Sequence, residues 1–408
     1  MYRPTQIPFA WAACALLATA GAAVADDHSF TFTELGTLGG SQAVAFGLND
    51  NRQVVGWALV PGSMFPHAFL WEDGVMRDLG ILDGDEQSTA LAINNDGVIV
   101  GISEYDAGGG YMITTAFVYS NDHMTALPGL GGNWARAAAI NSSGIIAGMA
   151  ENTYFKEQAV IWDSGNIVEI GQHSTQQYQR AYGINDAGIT VGWEYTPMMG
   201  ANDAFMFDGS HWTVIGGTDS DLQNAEAWDI NENNVVVGLC NFPEGLCTAA
   251  MWLPENPTEP INLGTLPGYD DGQLFSVNNS NHAVGFAMMY FPVEICHAIL
   301  YDGAVLHDLN DFLPADFDGY LWDAMGINDN GDIIAVALTS TGWSAYLLTP
   351  EESCPADLND DDVVDIDDLF AVLGAWGTCD DCPEDLNDDG VVDIDDLFAV
   401  LGEWGPCP

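Results

Sequence analysis

Positive charge is almost missing from this sequence: 6 Lys and Arg stand against 60 Asp and Glu in 408 residues, a formal net charge of -54. Such a surface repels nucleic acid and anionic membranes and excludes both as partners, whereas divalent cations, cationic partners or a saline medium suit it. Long apolar runs are scarce too. After residue 25 none approaches the length of a membrane span. Before it, "MYRPTQIPFAWAACALLATAGAAVADD" has one Arg, an Ala-rich apolar run and Ala23-Val24-Ala25 ahead of Asp26, which reads as a secretory signal over residues 1–25. The mature protein is therefore expected outside the cell or on its surface. No nucleophile elbow, Walker loop, dinucleotide fingerprint or zinc helix occurs. Cysteine is sparse and uneven. Cys14 leaves with the signal, Cys240, Cys247 and Cys296 lie in the body, and Cys354, Cys379, Cys382 and Cys407 bracket the last 55 residues. Export permits disulfides. Cys240 and Cys247 flank the short loop "NFPEGL" and are expected to staple it, which leaves Cys296 as a free buried thiol.

What is present is a core-forming composition, 48% hydrophobic, organised as a repeat. Asn49, Asn94, Asn141, Asn185, Asn231, Asn278 and Asn328 each follow an apolar residue, at separations of 45, 47, 44, 46, 47 and 50. Seven residues after each comes Gly56, Gly101, Gly148, Gly192, Gly238 and Gly285, with Ala335 in the seventh copy. That constant offset marks a structural unit. Each copy reads as four short strands: "AVAFGLN" ends at a tight turn, "QVVGWAL" leaves it, "HAFLW" follows a longer loop and "VMRDL" returns. A four-stranded sheet this small cannot cover its own faces, so repeats of this period predict a propeller, here with seven blades. The last copy lacks a fourth strand, while "SFTFTELGTLGG" at the mature N-terminus matches the fourth strands elsewhere. The N-terminal strand is thus expected to complete the last blade and close the ring, which removes exposed edges.

His67-Ala68-Phe69, together with "TAFVY", "DAFMF" and "HAILY" and the "INxxGxVVG" segments, resembles the extracellular HAF repeat family over about 320 residues. The resemblance implies a secreted propeller-like protein and carries over no catalytic residue. The repeated Asn reads as a turn residue bonding local backbone, in preference to a functional ladder around a channel. His67 and His297 share a repeat position where Thr115, Gln158, Asp203 and Thr248 also stand, which argues against a histidine metal ring. Sites in propellers gather where fourth-to-first and second-to-third strand loops meet. Those loops mix carboxylates with aromatics, including Asp83, Asp85, Trp134, Tyr178, Tyr269, Asp271, Phe317 and Tyr320. Trp134, Tyr178, Tyr269 and Tyr320 are the candidate ligand face, suited to a neutral glycan or a cation. The plainer reading of this face is a solvated acidic rim.

After Thr349 the composition changes. Residues 354–408 hold 17 acidic residues, no Lys or Arg, and a second repeat of period 28: "CPADLNDDDVVDIDDLFAVLGAWGTC" and "CPEDLNDDGVVDIDDLFAVLGEWGPC". Oxygen donors fall at positions 1, 3, 5, 7, 9 and 12, the spacing of a Ca²⁺ loop. They are Asp357, Asn359, Asp361, the Val363 carbonyl, Asp365 and Asp368, then Asp385, Asn387, Asp389, the Val391 carbonyl, Asp393 and Asp396, predicting two calcium ions. Each loop feeds a helix-patterned "DDLFAVLG". Two loop-plus-helix copies, bracketed by cysteines and ending in Trp-Gly-x-Cys, resemble the dockerin module. The resemblance implies a cohesin-like receptor, though Asp362 replaces Gly at position 6 and Ile366-Asp367 and Ile394-Asp395 replace the Ser/Thr pair of cellulosomal dockerins. Four cysteines allow three connectivities, and Cys354 with Cys407 plus Cys379 with Cys382 is favoured, a pairing that maps onto itself under a pseudo-twofold.

The expected organisation is a signal (1–25), a mainly β seven-bladed propeller (26–352) and a small α-helical dockerin-like module (353–408). The expected role is a secreted, non-catalytic binding or scaffold protein attached to a cohesin-like or other surface receptor, near polysaccharide breakdown. The competing reading is a polysaccharide-active glycoside hydrolase or lyase using the acidic, aromatic loop face.

Overall fold

The computed structural model describes residues 29–171, 178–196, 200–216, 224–242, 247–291, 294–351, 354–359, 361, 363–379, 382–387 and 390–407. The signal reading, Asp362 and Asp389 lie outside them. Two compact units form, one over Ser29–Glu351 and one beginning at Glu352.

The first unit is mainly β and propeller-like. Around Asn49, strands Ala43–Leu48, Val54–Leu59, Pro66–Glu72 and Val75–Gly80 pair in chain order as an antiparallel sheet. The same order recurs around Asn94, Asn141, Asn185, Asn231 and Asn278, with one addition. A single parallel pairing, Trp134 with Thr114, links the sheets of Asn94 and Asn141. Around Asn328 three strands, Tyr320–Ile327, Ile333–Thr339 and Gly342–Pro350, are joined by Phe30–Glu34, which pairs antiparallel with Gly342–Pro350 from Phe30 opposite Pro350 to Glu34 opposite Tyr346. The N-terminal strand therefore supplies the missing fourth strand.

The repeat Asn does two things at once. Asn231 Oδ1 accepts from the backbone N–H groups of Asn233 and Val235 at 3.0 and 2.9 Å, which closes its turn. Its Nδ2 donates 2.8 Å to the carbonyl of Asn278, the repeat Asn of the next sheet. The same donation runs from Asn49 to Asn94, on to Asn141, Asn185 and Asn231, from Asn278 to Asn328, and from Asn328 back to Asn49. The turn reading was thus half of the answer, and the other half is a closed circle of hydrogen bonds in which all these buried amides are satisfied.

The repeat Gly has a steric cause. A Cβ at Gly238 would lie 1.9 Å from the Glu226 carbonyl oxygen, and the clash recurs at Gly56, Gly101, Gly148, Gly192 and Gly285. In each sheet the opposing first strand has a register shift just beyond this point, as between Ala227 and Asp229, which brings its carbonyl in. Ala335 is tolerated where the opposing strand carries a further shift between Leu321 and Asp323.

Apolar faces of successive sheets meet in separate clusters. Val55, Ala68 and Leu70 of one sheet pack on Ala90, Ile93, Ile99 and Phe117 of the next. Ile334, Ala345 and Leu347 pack on Ala43, Ala45, Val54 and Phe69, sealing the last sheet on the first. Phe69, Phe117, Phe205 and Trp252 are fully buried, each contributing roughly 2–3 kcal/mol of hydrophobic stabilisation.

In the second unit, helices α1 (Ile366–Ala375) and α2 (Ile394–Gly402) begin alike. Asp365 and Asp393 cap them in capping boxes completed by Asp368 and Asp396. Val363–Val364 pairs with Gly405–Pro406, and Gly377–Thr378 with Val391–Val392, so each copy's loop pairs with the other copy's end. Disulfides join Cys354 to Cys407 and Cys379 to Cys382 around a core of Ala356, Val364, Val372, Val392 and Val400.

The expected Cys240–Cys247 staple does not form, and both thiols are free. The register explains why: Cys240 lies opposite Thr248 and Asn241 opposite Cys247, so the two side chains project from opposite faces of the sheet. Cys296 is free and buried, and burial pushes its thiol well above the usual range, which makes it inert.

Candidate functional site

Because every sheet carries its Asn turn at one end, the second-to-third and fourth-to-first loops share the opposite end. There the second-to-third loops expose large apolar groups. Tyr154 and Phe291 are 83% exposed, and Met64, Phe65, Tyr111, Phe155 and Tyr290 are exposed with them. They fall in four different sheets, 12 to 17 residues after the repeat Asn. Sequence reasoning fixed on the fourth-to-first loops and missed them. Aligning the repeats on Asn and scanning the variable segment before the "HAF" strand finds them.

Trp134 and Tyr178 come together in one cluster. The Arg180 guanidinium carbon lies 5.4 Å from the Trp134 ring and 5.0 Å from the Trp193 ring, and Arg180 Nε donates to Glu157 Oε2 at 2.5 Å. Lys156 Nζ donates to the Tyr178 hydroxyl at 2.9 Å and sits 4.3 Å from its ring centre. Arg136 lies 5.8 Å from the Tyr182 ring, and its buried Nε has no acceptor among the described residues. Burial alone would lower the pKa of Arg180, but the hydrogen bond to Glu157 and the neighbouring Tyr182 outweigh it and raise it.

Tyr269 and Tyr320 gather elsewhere, around His297. His297 Nδ1 lies 2.6 Å from both the Tyr269 hydroxyl and Asp308 Oδ2, and the Tyr320 ring stands 5.7 Å from the imidazole. His67 meets Asp78 in the same way at 3.0 Å, so the shared His position bonds the Asp of its own fourth strand. Desolvation raises Asp323, on the strand that starts at Tyr320, to about 7, and its Oδ1 has no partner among the described residues. Phe317 turns away from this face and packs against Phe32 and Tyr346. Asp83 is exposed, and Asp271 accepts from the Tyr290 hydroxyl.

At the Asn end an axial cavity of about 310 Å³ is lined by six of the repeat Asn residues and by Asp50, Asp186, Glu232 and Asp329. These acids are used internally: Asp186 N–H donates to Glu232, Asn279 N–H to Asp329 and Asp329 N–H to Asp50. Burial raises Asp229, also on this wall, to about 6.

In the tail the position-1 carboxylates fold their loops inward. Asp357 Oδ1 accepts from Asp361 N–H at 3.2 Å, and Asp385 Oδ2 from Gly390 N–H at 2.8 Å. Asp368 is fully buried and receives one N–H on each oxygen, from Leu358 at 2.8 Å and Asp365 at 2.7 Å, and Asp396 repeats this with Leu386 and Asp393. Each oxygen keeps a second lone pair. The donor set is all hard oxygen, which fits a Ca²⁺ ion, although no three acidic, His or Cys groups converge on one point among the described residues. No helix among the described residues is long and apolar enough to cross a membrane.

No known family model matches the chain, and no curated protein matches it. Among solved structures it is similar to an oligogalacturonate lyase of Vibrio parahaemolyticus, at 10% identity and TM-score 0.54, over 79% of this chain and 98% of that one. An oligogalacturonate lyase in complex with manganese gives 11%, 0.53, 80% and 97%. The β-propeller domain of the Trilobed protease from Pyrococcus furiosus gives 12%, 0.45, 67% and 85%. At these identities the likeness is one of fold alone.

Proposed function

We propose that the chain is a secreted seven-bladed β-propeller acting as a binding module, with a C-terminal dockerin-like Ca²⁺ module that attaches it to a cohesin-like or other surface receptor. One observation carries the attachment. α1 exposes Ile366, Phe370, Leu373 and Trp376 along one stripe, and α2 repeats it with Ile394, Phe398, Leu401 and Trp404, all 45–59% exposed. Between them Val372 and Val400 are fully buried, so the stripes are surplus to the tail's own core. Eight large apolar side chains left in water within so small a unit mark a protein-docking surface, offered twice.

Calcium in this reading neutralises loop carboxylates that otherwise repel one another. Asp357, Asn359, Asp361, Val363, Asp365 and Asp368 would hold one ion, and Asp385, Asn387, Asp389, Val391, Asp393 and Asp396 the other. At the propeller's loop face, exposed aromatics beside hydrogen-bonding groups suit a glycan, and together with the dockerin-like tail this supports a role near polysaccharide breakdown. Retention of the full chain on the envelope of cells that secrete it should be lost in chelator and in a F370S/F398S variant. Retention unchanged by both would refute the docking role.

A second reading, a glycan hydrolase or lyase, has one observation in its favour. Tyr269 and Asp308 both meet His297 Nδ1, and Asp323, on the strand that starts at Tyr320, is raised by burial to about 7, where a general base or acid works. Turnover on a polysaccharide panel that vanishes in His297→Ala would establish it.

A further inference from the structure

We infer that the Arg136, Lys156 and Arg180 cluster is a binding site for an anionic, carboxylate-bearing sugar. This rests on the reading of the propeller's loop face as a glycan face and sharpens it, because the sequence pointed to a neutral glycan or a cation.

The argument begins with where the few cations go. Five of the six Lys and Arg lie among the described residues. Arg52 is spent on the fully buried carboxylate of Asp332 at 3.0 Å, and Arg77 on Asp122 at 2.7 Å. The other three come from two consecutive sheets, those of Asn141 and Asn185: Arg136 and Arg180 meet through the Tyr182–Trp193 ring pair, and Lys156 sits on Tyr178, two residues before Arg180 on its strand. In a chain of net charge -54 that concentration is not a solvated surface average. It also has no matching structural use. Arg180 has Glu157, but Lys156 is held by a phenol, and Arg136 makes no hydrogen bond or ion pair among the described residues.

Two buried donors in this cluster lack an acceptor among the described residues, Arg136 Nε and Trp193 Nε1. An unsatisfied buried donor costs about 1–3 kcal/mol, so a ligand that brings acceptors recovers that free energy on binding. Acidic groups do stand near. Glu104 adds to the field at Arg136, Glu151 accepts from Asn133 N–H and Glu194 from Gln179, so the first strands here are cross-braced by carboxylates already engaged. The guanidinium and ammonium groups that remain match carboxylate oxygens, and the Trp134 and Tyr178 faces match the apolar face of a sugar ring. A densely charged polyanion such as nucleic acid meets the whole -54 field, whereas one carboxylate per sugar is screened beyond about 8 Å at physiological salt and feels mainly its contacts.

The test is calorimetric titration of the full chain, at one saturating calcium concentration, with a uronate hexasaccharide, its methyl ester and a glucose hexasaccharide. The uronate is expected to bind at least about tenfold tighter than its ester and to weaken with added salt. Arg136→Met and Lys156→Met should each lose about tenfold for the uronate while leaving ester binding unchanged. Lys156→Met stands in if Arg136→Met fails to fold, as judged by its melting curve. Equal binding of all three sugars, or uronate binding that survives both substitutions by calcium bridging, overturns the anionic selectivity and leaves the glycan reading intact. Binding of none of them overturns both.

Discussion

The two units use nearly the same letters, "NNDGVIVG" at residues 94–101 and "NDDGVVDI" at 387–394, to opposite ends. In the propeller the side-chain amide of the turn is answered by the protein. Asn94 Oδ1 accepts from Val98 N–H at 3.0 Å, and its Nδ2 donates to the carbonyl of Asn141. In the tail the amide is surrounded by carboxylates that no cationic side chain offsets, since residues 354–408 have no Lys or Arg. The repeat amide is neutral and can bind its neighbour, whereas the proposed role of the carboxylate loop calls for a cation. One unit carries its counter-groups in its own sequence, and the other, in the proposed reading, takes them from solution.

Chelation should separate them most. In calorimetry of the full chain, excess chelator is expected to abolish the tail's transition or lower it by about 20 °C or more, while the propeller's moves by no more than about 2 °C. A tail equally stable in chelator would erase the contrast. Next in size is Gly238→Ala, whose Cβ would meet a carbonyl oxygen at 1.9 Å and should cost about 3 kcal/mol or more in urea melts. Ala335→Gly, at the repeat position that already holds a Cβ, should cost no more than about 1 kcal/mol. Asn231→Ala removes the donors to Asn278 and Asn281 and the acceptor for Asn233 and Val235, so about 2–3 kcal/mol should be lost. A loss under about 0.5 kcal/mol would show that the circle of amides is ornamental.

The smallest effect has opposite signs in the two units. Asp323 is raised from 3.8 to about 7 and Asp229 from 3.8 to about 6, both mainly by desolvation. Between the unfolded and folded values the folded propeller binds more protons, so its stability is greatest below pH 4 and falls as pH rises through 6 to 7. Lowering pH from 8 to 5 should raise the propeller's stability by on the order of 1–2 kcal/mol, the effect tempered because both residues are only half-buried. Asp323→Asn should flatten that slope, which separates it from the general relief of self-repulsion. The tail should weaken over the same range as its calcium ligands gain protons. Melting curves at both pH values decide the matter, and parallel shifts of the two transitions would contradict it.

Much of this was readable because repetition writes the same constraint several times. The constant Asn-to-Gly offset of seven residues exposed the unit, and the unmatched "SFTFTEL" exposed the strand that completes the last sheet. In the tail, the favoured pairing of Cys354 with Cys407 and Cys379 with Cys382 is the connectivity that the structure has. What escaped depends on register or on stacking of separate sheets. Cys240 and Cys247 look adjacent along the chain, yet a one-residue diagonal turns them to opposite faces. The donation from each Asn amide is to a carbonyl 44 to 50 residues on, or 279 residues back where Asn328 meets Asn49, and no local pattern shows it. Arg136, Lys156 and Arg180 are likewise scattered in sequence and gathered only by two neighbouring sheets.

Strand Phe30–Glu34 lies along Gly342–Pro350, and just beyond it Glu351 N–H donates to the Ser29 carbonyl at 2.9 Å. Entry and exit of the propeller are therefore neighbours, and the body is a cassette. It could be spliced into a host loop without stretching either partner, or its ends could be joined and reopened at the exposed turn between Trp252 and Ile261 to give a circular permutant. Gene fusion could thus place cargo on this body in either chain order.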